Sequence, residues 1–304
     1  QSDDVLVYEE KDPTFYLSVG NSRSMQFIEI NISSTTSSEV RLINADFPEE
    51  SPDIFFKRES DHLYSIEHDP ENNRFLIETN WQAKNFRLMT IDLRNSTDKN
   101  KWNELIPHRE DILLQSTLAF PDHLVVMERE NGLRKLRIIT KKDNTEKNIN
   151  FNDPAYSAYL AANPEYYSDK FYFGYSSLRT PDSLFSSKLS TGRKRLLKQA
   201  EVKGPFSKSD YKVERKFVEG RDGTLIPVSL VYKRTTFKKN NNPLFVYGYG
   251  SYGHSIDAGF SSTRLSLLDR GYIFAIAHIR GGQELGRSWY EDGKIFNKLN
   301  TFYD

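Results

Sequence analysis

Four similar sets of short strand-like segments fill the first 200 residues, and that repetition limits the possible folds more than any single motif does. The second members of the sets are Phe15–Gly20, Arg74–Thr79, His123–Glu130 and Lys170–Tyr175, and the third are Gln26–Ile32, Phe86–Asp92, Leu133–Thr140 and Asp182–Leu189. Each set closes on an amphipathic segment: Glu39–Asn44, Trp102–Pro107, Glu146–Phe151 or Arg193–Gln199. Each opens on another: Asp4–Glu10, His62–His68, Asp111–Phe120 or Tyr156–Ala162. The sets recur at roughly 45 to 60 residues, near the spacing of a four-stranded propeller blade. This predicts four consecutive antiparallel blades, with no long helix between Asp4 and Gln199. An open β-meander unrelated to propellers is the alternative.

Composition agrees. The chain holds 20 Phe and 17 Tyr, residues that favour strands. Its 304 residues exceed one typical domain, so a second unit is expected. Lys and Arg together number 42, as do Asp and Glu, so no overall field draws nucleic acid or an anionic membrane. Basic pairs such as Lys141-Lys142 and Lys238-Lys239 read as solvated loop charges. Without cysteine there is no disulfide or thiolate chemistry, which suits a reducing compartment. No apolar run approaches the ~20 residues of a membrane helix. The start, QSDDVLVYEE, has no signal layout and opens on a strand pattern, as the middle of a longer chain would.

A different pattern begins near Gly204-Pro205. Tyr211–Gly220 and Leu225–Arg234 alternate and are joined by Arg221-Asp222-Gly223-Thr224, a hairpin signal. Pro227 inside the second segment lacks a ladder donor, which points to an edge strand. Leu244–Tyr247 reads as a buried strand stopping at glycines, and Ser261–Asp269 as a helix ended by Arg270-Gly271. Tyr272–Ala277 is apolar without alternation, as in a parallel strand buried on both faces. The stretch Pro243–Gly282 is thus a strand–loop–helix–strand crossover of an α/β sheet.

Two chemistries could use the loop after Tyr247. Gly248, Gly250 and Gly253 spell G-x-G-x-x-G, a dinucleotide fingerprint. That reading needs a helix opening at the last glycine, whereas residues 254–260 intervene and the second strand ends in His278 and Arg280. Alternatively, Tyr249 between glycines at a strand's C-terminal end could aim its phenol at a developing oxyanion, or simply pack beside the turn.

The run Tyr247-Gly248-Tyr249-Gly250-Ser251-Tyr252-Gly253, then LSLLDRG, AHIRGGQELGRSWYEDGK and NTFYD, resembles the prolyl oligopeptidase family of serine peptidases, and within it the oligopeptidase B branch. The likeness extends over essentially the whole chain and is densest between Asp210 and Asp304. It implies a mainly β fold: residues 1–204 as about four four-stranded blades of a seven-bladed β-propeller, and 205–304 as the N-terminal part of an α/β-hydrolase domain. It also implies that Tyr249 supplies its hydroxyl to an oxyanion hole. Gly248, Gly250, Gly253 and the Arg280-Gly281-Gly282 run would shape the adjoining loops. Gln283 stands where the branch often has a third glycine. Arg280 is expected to fix its loop by ion pairing, with Glu284 as the nearby candidate.

No G-x-S-x-G nucleophile turn occurs, so the serine, acid and base of a hydrolase triad are expected beyond Asp304 and this segment alone is expected to be inactive. His62, His68, His108 and His123 read as structural or solvated, and His278 as a satisfied core histidine. Ser251 and His254 are close enough in sequence for an improvised dyad, though nothing evident would orient the imidazole. No histidine pair has zinc spacing, and no metal or other cofactor is expected. The resemblance implies a cytoplasmic enzyme, monomeric or weakly oligomeric, that hydrolyses short peptides after Lys or Arg, with folded proteins excluded by the propeller. A non-catalytic propeller used for binding is the alternative of another class.

Overall fold

In the computed structural model, which describes residues 4–304, strands pair into five four-stranded sheets, and the first four sheets are sequential antiparallel meanders. The first contains β1 (Tyr16–Asn21), β2 (Phe27–Ser33), β3 (Ser38–Asn44) and β4 (Asp53–Phe56). The second contains β5 (Tyr64–Asp69), β6 (Arg74–Thr79), β7 (Arg87–Ile91) and β8 (Asn103–Ile106). The third is β9 (Ile112–Ala119), β10 (His123–Glu130), β11 (Leu133–Thr140) and β12 (Glu146–Ile149). The fourth is β13 (Tyr156–Leu160), β14 (Lys170–Ser177), β15 (Ser183–Lys188) and β16 (Lys194–Gln199). Among the described residues up to Gln199 the only helices are single 3₁₀ turns, as the strand periodicity requires.

The first blade differs from its expected make-up. Asp4–Glu10 is not a strand: Val5 and Leu6 are exposed, and a turn closed by Phe15 N–H on Asp12 O (3.1 Å) separates the segment from β1. The fourth strand is instead β4, only four residues long and preceded by Pro48 and Pro52, too short to show alternation. The other three sets keep their assigned order.

Apolar side chains fill the spaces between neighbouring blades. Phe55, Phe75 and Trp102 lie between the first and second, Leu88, Leu114 and Val126 between the second and third, and Phe120, Leu136, Phe171 and Phe173 between the third and fourth. One cation ties all four together. Arg23 donates to Glu67 Oε1 (2.5 Å), Ala119 O (2.8 Å), Asn163 O (2.6 Å) and Glu165 O (3.1 Å), spending the fork of donors only a guanidinium offers. Asp69, fully buried on the same blade as Glu67, accepts from Lys141 Nζ (2.6 Å) and Tyr166 Oη (2.7 Å).

The fifth sheet is mixed. Its order is β17 (Tyr211–Glu219), β18 (Leu225–Lys233), β20 (Ile273–Ala277) and β19 (Leu244–Tyr247). The Asp222-Gly223 turn joins β17 to β18 as the sequence suggests, with Gly223 at φ +82°. Pro227, however, is not on an edge strand, because β18 lies between β17 and β20. Its missing donor falls just past the end of the β20 ladder, where its carbonyl accepts from His278 N–H (2.9 Å). β19 and β20 run parallel through the crossover helix α1 (Leu265–Asp269), which stops at Gly271, φ +89°. β20 is buried as expected, but β19 forms the sheet's edge and its four residues are exposed.

Candidate active site

The site is built where β19 ends. Tyr247 pairs with Ile276 in the last register position, and the chain then turns through Gly248 and Gly250. Tyr249, placed between them, is 44% exposed, and its ring meets His254 edge-on at 5.8 Å. A phenol there can present its O–H to a reacting carbonyl at the carboxyl end of a parallel strand, where ligands of α/β sheets bind.

The glycines around Tyr249 permit two backbones to touch. Gly250 has φ +61°, and a Cβ there would run into Thr301 Cγ2 and the carbonyl oxygen of Arg280 (2.7 Å). Gly281 has φ +100°, and its Cβ would strike the carbonyl of Gly250. Only glycine accepts both the dihedrals and the approach. Gly253 N–H donates to Gly281 O (2.9 Å), and Gln283 Nε2 donates to Gly253 O (3.0 Å), so the residue at the departing position clasps the two loops together. Gly248 faces Ile279, and Gly282 faces the Glu284 carboxylate. The loop glycines therefore serve loop–loop packing. The helix that a dinucleotide fingerprint requires opens only at Leu265.

Arg280 does fix its loop by ion pairing, but not with Glu284. Its Nε lies 2.9 Å from both carboxylate oxygens of Asp304, its backbone N–H donates to Asp304 Oδ2 (2.8 Å), and Nη2 lies 2.8 Å from Asp222 Oδ2. Asp304 first, with Asp222, holds the guanidinium more firmly charged than usual. Asp222 is pushed down to about 2 by hydrogen bonds from Thr224, then from Arg280. Glu284 is turned inward, accepting from Ile256 N–H (2.9 Å).

His278 is a core histidine, 2% exposed, but only half satisfied: Nε2 lies 2.7 Å from Ser229 Oγ, while Nδ1 is buried without a hydrogen-bond partner. Its Nδ1 stands 3.8 Å from Glu284 Oε1, so Ser229, His278 and Glu284 mimic a triad in composition. Ser229 has no exposed surface, and no acyl group can reach it. The Ser251–His254 pair does not form a dyad through Ser251 Oγ, which accepts from Lys298 Nζ (2.7 Å), while His254 N–H closes a turn on Ser251 O (2.9 Å). His62 and His68 bond to Thr79 Oγ1 (2.9 Å) and Ser24 Oγ (2.8 Å) inside the blades. Lys298, Thr301 and Asp304, which hold the tyrosine and Arg280 loops, carry no sequence signal of that role beyond the place of Thr301 and Asp304 in the NTFYD run, with Lys298 just before it.

Comparison with known proteins gives consistent matches. The model of the prolyl oligopeptidase N-terminal beta-propeller domain matches residues 1–200, and that of the prolyl oligopeptidase family matches residues 258–304. The chain is 43% identical to dipeptidyl aminopeptidase BI of Pseudoxanthomonas mexicana over 308 aligned positions, which cover 100% of the chain and 41% of that protein. It is 36% identical to protease 2 of Moraxella lacunata, over 99% of the chain and 43% of the relative. Its structure superimposes on oligopeptidase B from Leishmania major with a TM-score of 0.92 at 33% identity, covering 100% of this chain and 44% of that one. The closed form of oligopeptidase B from Trypanosoma brucei, with covalently bound antipain, gives 0.91 at 31%, with the same coverage. The chain thus spans less than half the length of each of these proteins. No helix among the described residues is long and apolar enough to cross a membrane.

Proposed function

The chain belongs to the prolyl oligopeptidase family, and from that premise we propose that it is the part of an oligopeptidase B-like serine peptidase that carries the last propeller blades and one oxyanion donor, Tyr249. On this reading the propeller ends near Gly204 and the hydrolase domain begins at Pro205. The complete enzyme hydrolyses short peptides after Lys or Arg in the cytoplasm, with a triad supplied from beyond Asp304. The observation that carries the reading is the half-exposed phenol of Tyr249 on a loop locked by Gly250 and Gly281.

During acyl transfer the carbonyl oxygen gains charge as the serine adds. A phenolic O–H fixed beforehand stabilises that charge more than it stabilises the ground-state carbonyl. Tyr249→Phe in the complete enzyme keeps the ring and removes the donor. It should lower kcat by ~10²–10³, about 2.7–4 kcal/mol, with a far smaller change in KM. A kcat within about threefold of the parent would reduce Tyr249 to packing.

The name of one relative, dipeptidyl aminopeptidase, supports a second reading in which dipeptides leave the peptide's N-terminus. Mass analysis of the products from an N-acetylated peptide with one internal arginine separates the two. Cleavage after the arginine supports the endopeptidase, while a blocked peptide left intact beside a trimmed free one supports the other.

A further inference from the structure

The tyrosine loop is held from outside by the helix α2 (Lys298–Tyr303). Lys298 donates from Nζ to the carbonyl oxygen of Gly250 and to Ser251 Oγ (2.7 Å). Thr301, one turn on and 4% exposed, donates to Arg280 O (2.8 Å), with Gly293 O at 3.1 Å. Asp304 then takes the guanidinium of Arg280. Three segments far apart in sequence meet at the residue that follows Tyr249.

We propose that Lys298 is a positioning residue for Tyr249, acting through the Gly250 carbonyl and the Ser251 hydroxyl to fix the direction in which the phenol points. This rests on the reading of Tyr249 as an oxyanion donor. The physical case has three parts. Gly250 is permissive by nature, so its φ of +61° must be imposed by neighbours. Tyr249 is 44% exposed and its ring meets His254 edge-on, so the backbone more than side-chain packing must set its aim. The bond to the carbonyl comes from an ammonium, and charge-assisted bonds are roughly twice as strong as neutral ones. Lys298 touches no reacting atom.

The test is a mutant cycle in the complete enzyme. Lys298→Met should lower kcat by ~10-fold or more with KM within about threefold, because only the transition state uses the phenol's aim. Lys298→Arg, which can still donate to both oxygens, should return kcat to within about threefold of the parent. In a Tyr249→Phe background the same Lys298→Met change should cost less than about twofold, since the group it positions is gone. An equal loss in both backgrounds, or a KM effect alone, overturns the proposal. Should Tyr249→Phe itself be silent, the oxyanion reading fails alone, and amide exchange decides whether Lys298 holds the loop. Lys298→Met should speed exchange across residues 248–254 by ~10-fold while the blade strands stay protected. Unchanged exchange there overturns the proposal as well.

Discussion

Glu78, on β6 beside a cavity of about 190 Å³ that Ser65, Glu67 and Thr117 also line, shows how one side chain can set the sign of a pH effect. Burial pushes its carboxyl up to about 7, Thr117 and then the Ser65 hydroxyl (3.3 Å) offset only part, and the neighbouring charge of Glu67 adds to the rise. An unfolded Glu titrates near ~4.3, so the native chain keeps a proton that the unfolded chain releases between there and about 7. The stabilisation is complete below ~4.3 and is lost as pH rises through about 7. Glu78→Gln should therefore raise Tm at pH 8 by ~2–4 °C and leave it unchanged near pH 4. Glu29, also raised to about 7 by burial, acts with the same sign. His62 and His68, held down to about 4 by burial, act oppositely, losing stability as pH falls from ~6.5. Only the difference between variant and parent isolates Glu78, and equal Tm values at pH 8 would refute the assignment. At this scale legibility in the sequence was uneven. Tyr249 stood out because glycines flank it. The partner of Arg280 did not: Glu284 is four residues away, whereas Asp304 is brought in through space by α2.

Strands with a full period of alternation announced themselves, since burial on one face imposes period two on the sequence. β4 did not, being four residues long, and Asp4–Glu10 alternates without any strand beside it. Alternation records an opportunity to pair; pairing needs a neighbour. Pro227 teaches the converse, because a missing donor excludes a ladder only where a partner strand would have used it. The two loops at the site were legible as glycine-rich but not as interlocked, because contact between separate loops leaves no periodicity. Gly281→Ala tests the interlock. The new Cβ meets the Gly250 carbonyl at a φ of +100°, so both the dihedral and the contact must be relieved. A strained backbone position of this kind costs about 1–3 kcal/mol before the clash is counted. The variant should melt lower by ~4 °C or more, with faster amide exchange confined to residues 248–254 and 279–283. A variant that melts with the parent would show the loops free to separate.

The fourth blade and the fifth sheet share an apolar cluster that includes Ala155, Leu178, Tyr211, Val231 and Leu268, and a buried ion pair ties the third blade to the loop after β19. Arg129, on β10, has a fully buried side chain; it donates to Asp257 Oδ1 (2.7 Å) and to Gly132 O (3.0 Å), while its Nε and Nη2 have no partner. Arg134 reaches the other oxygen of Asp257 at 3.2 Å. One carboxylate thus answers two guanidiniums across the junction, a contact that no local pattern could reveal because the partners lie 128 residues apart. The burial decides the energetics. Two charges taken from water attract strongly enough to break about even, but one charge left alone does not. Asp257→Asn strands Arg129 and should cost about 3–5 kcal/mol, lowering Tm by ~6–15 °C. Replacing both partners, as Arg129→Met with Asp257→Leu, removes the fully buried charge together with its counter-charge; only Arg134, which is partly exposed to water, loses its partner, so most of that loss should be recovered. Thermal unfolding of the parent, the single variant and the double variant separates these outcomes. An Asp257→Asn protein melting within ~2 °C of the parent would mean that water reaches Arg129, and that the apolar cluster, with contacts such as Arg287 N–H on Asn85 Oδ1 (2.8 Å), holds the two parts together without the ion pair.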